Sequence, residues 1–328
     1  MRAARLHAHG PDAAKNLHVE PIELPAPAAG EIQVEMLAAP INPADLNVIA
    51  GNYGELPDLP ATIGNEGMGR VVAAGAGVSS LQSGDLVAPI VRGSWCTHRN
   101  VRADLVIPLP AGIDPLQAAM IAINPPTAHA LLHDFAALKP GDWAVQNAGN
   151  SGVGRCVIQI AKRLGLRTLS VVRRQELVEE LLALGADRVV TEETDLRNEG
   201  RALMDGAAAR IGLNAVGGAS ALNLANALAD RSPLVTYGAM ARQPLKIPNG
   251  LLIFRGIAFH GFWLRHWIDM KPLGEQRAAF AFLAGMILDG SLRIPLHRVF
   301  PLGEIHAALR EAAAESRGGK VLLDLSAA

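Results

Sequence analysis

Between residues 140 and 265 the hydrophobic pattern alternates between two periods. Short, nearly continuous apolar runs are followed by stretches in which apolar residues recur three and four positions apart. The first kind reads as buried strand and the second as amphipathic helix. A strand over 142–146 leaves the turn signal Pro140-Gly141. A helix follows, marked by Val153, Val157, Ile160, Ala161 and Leu164 and closed by Gly165. Next come a strand over 167–172, a helix over 176–184 stopping at Gly185, and strands over 187–191, 210–216, 234–238 and 257–264, with a helix over 219–229. Strands alternating with helices in this way predict an α/β domain with a parallel, doubly wound sheet.

The flanks have a different texture. Before residue 121 the chain carries short β-rich pieces over 32–38, 69–74 and 86–89, interrupted by Pro40, Pro43, Pro57, Pro60, Gly75, Gly77 and Gly84. That is the pattern of antiparallel or barrel-like structure. The C-terminal part returns to this style, with a helix over 273–288, a strand over 294–300, a helix over 302–314 and a strand over 320–325. The expected organisation is therefore 1–121 and 267–328 in one domain, with 122–266 forming a nucleotide-binding domain between them. A chain of 328 residues accommodates both cores. No internal repeat is visible.

Composition narrows the function. A net charge of −1 gives no electrostatic footprint for nucleic acid or an anionic membrane. No apolar run approaches the roughly 20 residues of a membrane span. The first residues move directly into alternating sequence without a hydrophobic signal core. Cys96 and Cys156 are the only cysteines, which argues against a disulfide framework. These features lead to the expectation of a cytoplasmic, soluble protein.

The chemistry is concentrated at the turn from Gln146 to Gly154. A strand, a glycine-rich turn and a helix bring backbone amides and a helix N-terminus up to a pyrophosphate. The glycine pattern runs Gly149, Ser151, Gly154, with serine in the middle position. At the end of the next strand stand Arg173 and Arg174, where an NAD enzyme carries an acidic residue for the ribose hydroxyls. Guanidinium groups there suit a 2′-phosphate, so the expected cofactor is NADPH.

Several segments together resemble a known family. These are Asn42-Pro43-Ala44-Asp45-Leu46-Asn47, Gly51-Asn52-Tyr53-Gly54, Gly64-Asn65-Glu66-Gly67, the glycine turn, Thr236-Tyr237-Gly238-Ala239-Met240 and Gly261-Phe262-Trp263-Leu264. The chain is identified as a member of the medium-chain dehydrogenase/reductase superfamily, resembling its mitochondrial-type trans-2-enoyl-thioester reductases. That resemblance implies a central Rossmann domain, a GroES-like catalytic domain built from both chain ends, and a homodimer. Its departures are Gly149, at a position where many members carry serine, and a short loop near 92–95.

The resemblance also implies roles for individual residues. Tyr53 would donate the proton that completes reduction of the 2,3 double bond. An unperturbed phenol, with a pKa of about 10, carries that proton at neutral pH. Asn124 would lie at the nicotinamide end, and Asn150, Ser151, Gly152 and Val153 would hold the pyrophosphate. Arg173, Arg174 and Gln175 would take the 2′-phosphate ribose. Tyr237, Gly238, Ala239 and Met240, with Phe262, Trp263 and Leu264, would line the nicotinamide side, reached by Lys320 from the C-terminal return.

Zinc, which many superfamily members use, is not expected. Asn65 stands where a zinc enzyme has histidine, and the four-cysteine lobe is missing. His129 and His133, four apart on an expected helix, read as a solvated face. Two other functions share the fold. One is an NADPH-dependent quinone or enone reductase, and the other is a noncatalytic NADPH-binding relative. Finally, the apolar strand over 257–264 is expected at the sheet edge, where pairing with its own copy would build the dimer.

Overall fold

The alternating segment folds into six strands that pair in parallel throughout. They are β1 (Trp143–Gln146), β2 (Arg167–Val172), β3 (Arg188–Thr191), β4 (Ile211–Asn214), β5 (Pro233–Thr236) and β6 (Ala258–Gly261). In the sheet they stand in the order β3-β2-β1-β4-β5-β6. This is the strand order of a Rossmann dinucleotide fold, with its reversal between β1 and β4. The computed structural model describes residues 1–314 and 318–326. The chain divides into two compact units, Asn124–Ala279 and the combination of Met1–Ile123 with Phe280–Ala328.

In the Asn124–Ala279 unit, adjacent residues of one strand feed opposite cores. Val171 packs with Trp143, Val145, Leu196 and Leu224, while Val172 packs with Ile158, Leu177 and Leu181. Period-two side chains with apolar layers on both faces account for the nearly continuous apolar runs of a parallel sheet. The helices are α1 (Asn124–His133), α2 (Gly152–Arg163), α3 (Leu177–Leu184), α4 (Leu196–Leu203), α5 (Gly218–Ala227), α6 (Asn249–Ile253) and α7 (Leu264–Met270).

Two differences from the sequence-based expectation have local causes. The strand expected over 257–264 ends at Gly261, and Leu264 already begins α7. After Phe262 donates its N–H to the Thr236 carbonyl at 2.9 Å, Trp263 stays extended and Leu264 is buried at the start of the helix. Helix α4 lies where the pattern predicts none, because Leu-Arg-Asn-Glu-Gly-Arg is polar and contains glycine. Asp195 caps it by accepting from the Arg197 N–H at 3.0 Å.

The other unit is built around strand Glu31–Pro40, whose residues alternate in burial over most of its length. It pairs antiparallel with Met68–Ala74, with His98–Arg102 and with the C-terminal strand Lys320–Asp324. The last of these pairings sets Leu322 opposite Pro40 and Asp324 opposite Ala38, and it locks the C-terminal return into the N-terminal sheet. The return begins at Phe280, inside helix Leu273–Leu288. The core holds Trp95, Met36, Ile32 and Val34, with Phe300, Leu302 and Leu309 contributed by the return.

Candidate active site

In an open parallel sheet the ligand crevice lies beyond the carboxyl ends of the strands, at the point where strand order reverses. Within the Asn124–Ala279 unit the sequence-selected residues follow those ends. The glycine turn follows β1, Arg173 to Gln175 follow β2, Tyr237 to Met240 follow β5, and Phe262 to Leu264 follow β6.

The turn after β1 is tightly constrained. Ala148 adopts φ +48°, in the left-handed region that favours glycine. A Cβ on Gly154 would meet the carbonyl oxygens of Ala148 and Gly149, each at 2.6 Å, so only glycine lets the helix start so close to the turn. Ser151 caps α2 by accepting from the Gly154 N–H at 3.1 Å. The first helical N–H groups have no intrahelical acceptor and point out of the helix start. Together with the helix dipole they form an anion-binding end.

Among the described residues, the buried polar atoms without a protein partner include Asn124 Nδ2 and the Tyr237 hydroxyl, both near this start. The Asn124 carboxamide lies against Gly152, where a Cβ would stand 3.0 Å from its Cγ. Burial pushes the Tyr237 phenol well above its usual range, opposed by the neighbouring Ser151 side chain. Ser151 Oγ is already engaged with the Gly154 N–H. Buried polar groups are normally satisfied, so two orphans beside a helix N-terminus suit a polar ligand.

Beneath these groups runs a chain of buried amides. Gln146 Nε2 donates to Ser170 Oγ and to the Gly154 carbonyl, both at 3.0 Å. Asn147 Nδ2 donates to Asn214 Oδ1 at 2.9 Å, and Asn214 Nδ2 donates to Thr236 Oγ1 at 3.0 Å. The strand ends are thus tied laterally from β2 to β5, which fixes the loops they carry.

Arg173 is exposed, while Arg174 is half-buried and 3.5 Å from Glu176. Gln175, Ala239 and Met240 are exposed. Phe262 meets Phe135 edge-on with centroids 6.1 Å apart, and Trp263 meets His266 at 4.7 Å. Of the two histidines of α1, His133 is exposed as expected and His129 departs from the solvated face. Their rings stack at 3.9 Å, and His129 is half-buried, with a pKa lowered to about 4 by burial and then by His133.

In the other unit, Tyr53 is half-buried against the core, with the Arg92 guanidinium 5.7 Å from its ring centre. Lys320 is buried rather than solvated, and its Nζ donates to Asn42 Oδ1. Asn42 Nδ2 donates to Glu66 Oε1 at 2.7 Å, and Glu66 Oε2 accepts from the Ala122 N–H at 3.0 Å. Asp45 accepts from Asn65 Nδ2 at 2.6 Å and from the Asn42 N–H at 2.7 Å. Burial raises Glu66 to about 7 and Asp45 to about 6, with Lys320 opposing both shifts. Among the described residues, no group of three or more His, Cys, Asp or Glu side chains could hold a metal ion.

Sequence reasoning missed Ser170, Asn214 and Arg155, and it included Thr236 in a segment without giving it a role. Ser170, Asn214 and Thr236 had a usable signal, a polar residue in or at the end of an otherwise apolar strand. Arg155 had a weaker one, an arginine on the face that carries apolar residues.

Fold and site together define a dinucleotide-dependent oxidoreductase type of protein. Residues 152–278 match the zinc-binding dehydrogenase family, and residues 28–111 match the alcohol dehydrogenase GroES-like domain. The chain is 42% identical over 313 residues to the human mitochondrial enoyl-[acyl-carrier-protein] reductase, covering 93% of this chain and 84% of that protein. It belongs to the medium-chain dehydrogenase/reductase superfamily. Among solved structures, the Etr1p/NADP/crotonyl-CoA complex superposes with a TM-score of 0.88 at 31% identity, covering 98% of this chain and 99% of the other. A mycobacterial quinone oxidoreductase gives the same TM-score of 0.88 at 25% identity, covering 99% of each chain. A putative NADPH:quinone reductase from Bacillus thuringiensis superposes with a TM-score of 0.90 at 30% identity, so neither the fold nor the identity to solved structures separates the two activities. No helix among the described residues is long and apolar enough to cross a membrane.

Proposed function

We infer that the protein reduces the 2,3 double bond of trans-2-enoyl thioesters with NADPH. The observation that carries this reading is the 42% identity, over nearly the whole chain, to an enoyl-[acyl-carrier-protein] reductase. The acyl carrier is CoA or acyl carrier protein. When bound, NADPH supplies the hydride that the β-carbon accepts.

The chain's own residues divide the remaining work. Asn150, Ser151, Gly152 and Val153 surround the pyrophosphate, with Gly152 and Val153 at the helix start supplying N–H donors, and Arg173, Arg174 and Gln175 take the 2′-phosphate. Asn124 and Tyr237, with their unpartnered Nδ2 and hydroxyl, orient the nicotinamide end. Gly238, Ala239, Met240, Phe262, Trp263 and Leu264 line that end and restrict water. Tyr53 holds the proton delivered to the α-carbon. Lys320, tied through Asn42 to Glu66, acts from within the charge network of its own unit.

The reaction is proposed as zinc-independent on donor chemistry. Asn65, at the position of a zinc ligand in related dehydrogenases, is a carboxamide committed to Asp45. The assembly proposed is a homodimer through β6. Among the described residues this strand pairs only with β5, and it leaves Ala258, His260 and Gly261 exposed along an open edge. Light scattering at the monomer mass would remove the dimer. The cytoplasmic reading rests on composition, while the named relatives are mitochondrial, and cell fractionation decides between them.

The functional test is NADPH consumption with crotonyl-CoA run beside benzoquinone. Preference for the thioester is expected, and turnover of the quinone alone would transfer the protein to the quinone reductases.

A further inference from the structure

Arg155 lies in the first turns of α2 and is 7% exposed. Arginine is seldom buried unless paired, and this one has two partners. Its Nε donates to the Asn150 carbonyl at 3.0 Å, and its Nη2 stands 2.7 Å from Glu180 Oε1 on α3. On the other side of the same peptide, the Ser151 N–H donates to the Ala148 carbonyl at 2.8 Å. The Asn150–Ser151 peptide plane is thereby pinned at both its oxygen and its nitrogen. Free to rotate, that carbonyl could turn its negative end toward a bound phosphate. Held by Arg155, it is kept from making that turn.

We propose that Arg155 is a positioning residue for the cofactor pyrophosphate, and that Glu180 holds it in place. The proposal rests on the reading of the site as an NADPH site. The Arg155 side chain, its charge balanced by Glu180, fixes the orientation of the turn. It is independent of Arg173 and Arg174, which serve the other phosphate. Loss of Arg155 should therefore be felt by ligands that carry the pyrophosphate and not by those that carry only the 2′-phosphate.

The test compares the binding of NADPH with that of adenosine 2′-phosphate, which has no pyrophosphate. The variants are Arg155→Met, Arg155→Lys and Glu180→Gln. Arg155→Met should weaken NADPH by about tenfold or more and leave adenosine 2′-phosphate within about twofold. Arg155→Lys should recover part of the loss. Glu180, with its side chain 44% exposed, tolerates substitution, and Glu180→Gln should weaken NADPH alone by roughly two- to fivefold. Unchanged NADPH affinity, or parallel losses for both ligands, would overturn the proposal. If Arg155→Met does not fold, the same comparison on Arg155→Lys and Glu180→Gln decides it. A wild-type protein that binds NADPH but reduces no enoyl thioester would refute the proposed activity and leave this comparison intact.

Discussion

The carboxamide of Asn124 rests on Gly152 so closely that a methyl group there would stand 3.0 Å from its Cγ and 3.1 Å from both its oxygen and its nitrogen. The start of α1 and the start of α2 are therefore fitted to each other at the one glycine that permits it. Gly152→Ala should displace Asn124 without unfolding the unit, because the contact is with a side chain rather than backbone. We expect NADPH affinity to fall about tenfold, or ~1.4 kcal/mol, with little change in thermal stability. Titration calorimetry on the purified variant checks this, and an unaltered Kd would detach Asn124 from the cofactor.

Cofactor preference should reside in the loop after β2. One charge-assisted phosphate interaction contributes roughly 1.5–3 kcal/mol. Replacing Arg173 and Arg174 with alanine should therefore raise the KM for NADPH far more than that for NADH. Equal losses for both cofactors would mean that the 2′-phosphate is held elsewhere.

The buried carboxyls predict a stability that falls with rising pH. Glu66 is raised from 4.5 to about 7 and Asp45 from 3.8 to about 6, both chiefly by burial. The folded chain therefore holds more protons than the unfolded chain between about pH 4 and 7, and stability declines as pH rises through that window. Glu66→Gln removes one of the two groups. Its stability relative to wild type should improve steadily from pH 5 to pH 7.5, as read by urea denaturation at each pH. A difference independent of pH would show that Glu66 does not titrate there.

Tyr53 separates chemistry from binding. Tyr53→Phe keeps the ring that packs against the core and removes the hydroxyl. The variant should bind NADPH normally and lose about 10²–10⁴ in kcat for enoyl thioesters, the scale of a positioned general acid. Full turnover would make Tyr53 a lining residue and leave protonation to water.

Much of this is legible in the chain because its signals are local. The strand, turn and helix around Gly149 to Gly154 depend on neighbours a few residues apart, as does the helix over Leu273–Leu288, and both stand where the pattern puts them. The open edge at β6 is also legible, since it is the last strand of the alternating segment. What escapes depends on distance or on exceptions to periodicity. Lys320 and Asn42 lie 278 positions apart, and no spacing rule joins them. Lysine at a strand start reads as solvated until its partner is known. The pattern likewise carries the apolar run at 257–264 past Gly261, because nothing in it marks where Leu264 turns inward to begin α7. His129 reads as exposed because its stacking on His133 is a matter of geometry rather than composition.

The central claim is hydride transfer to the β-carbon of an enoyl thioester, and isotope tracing tests it most directly. Crotonyl-CoA is incubated with the enzyme and NADPH deuterated at either C4 position, and the acyl product is analysed by mass spectrometry. One of the two labelled cofactors should give butyryl-CoA with a single deuterium at C3. Unlabelled NADPH in heavy water should place a single deuterium at C2 instead. Cofactor oxidation without labelled butyryl-CoA, or deuterium from the cofactor at C2, would contradict the account.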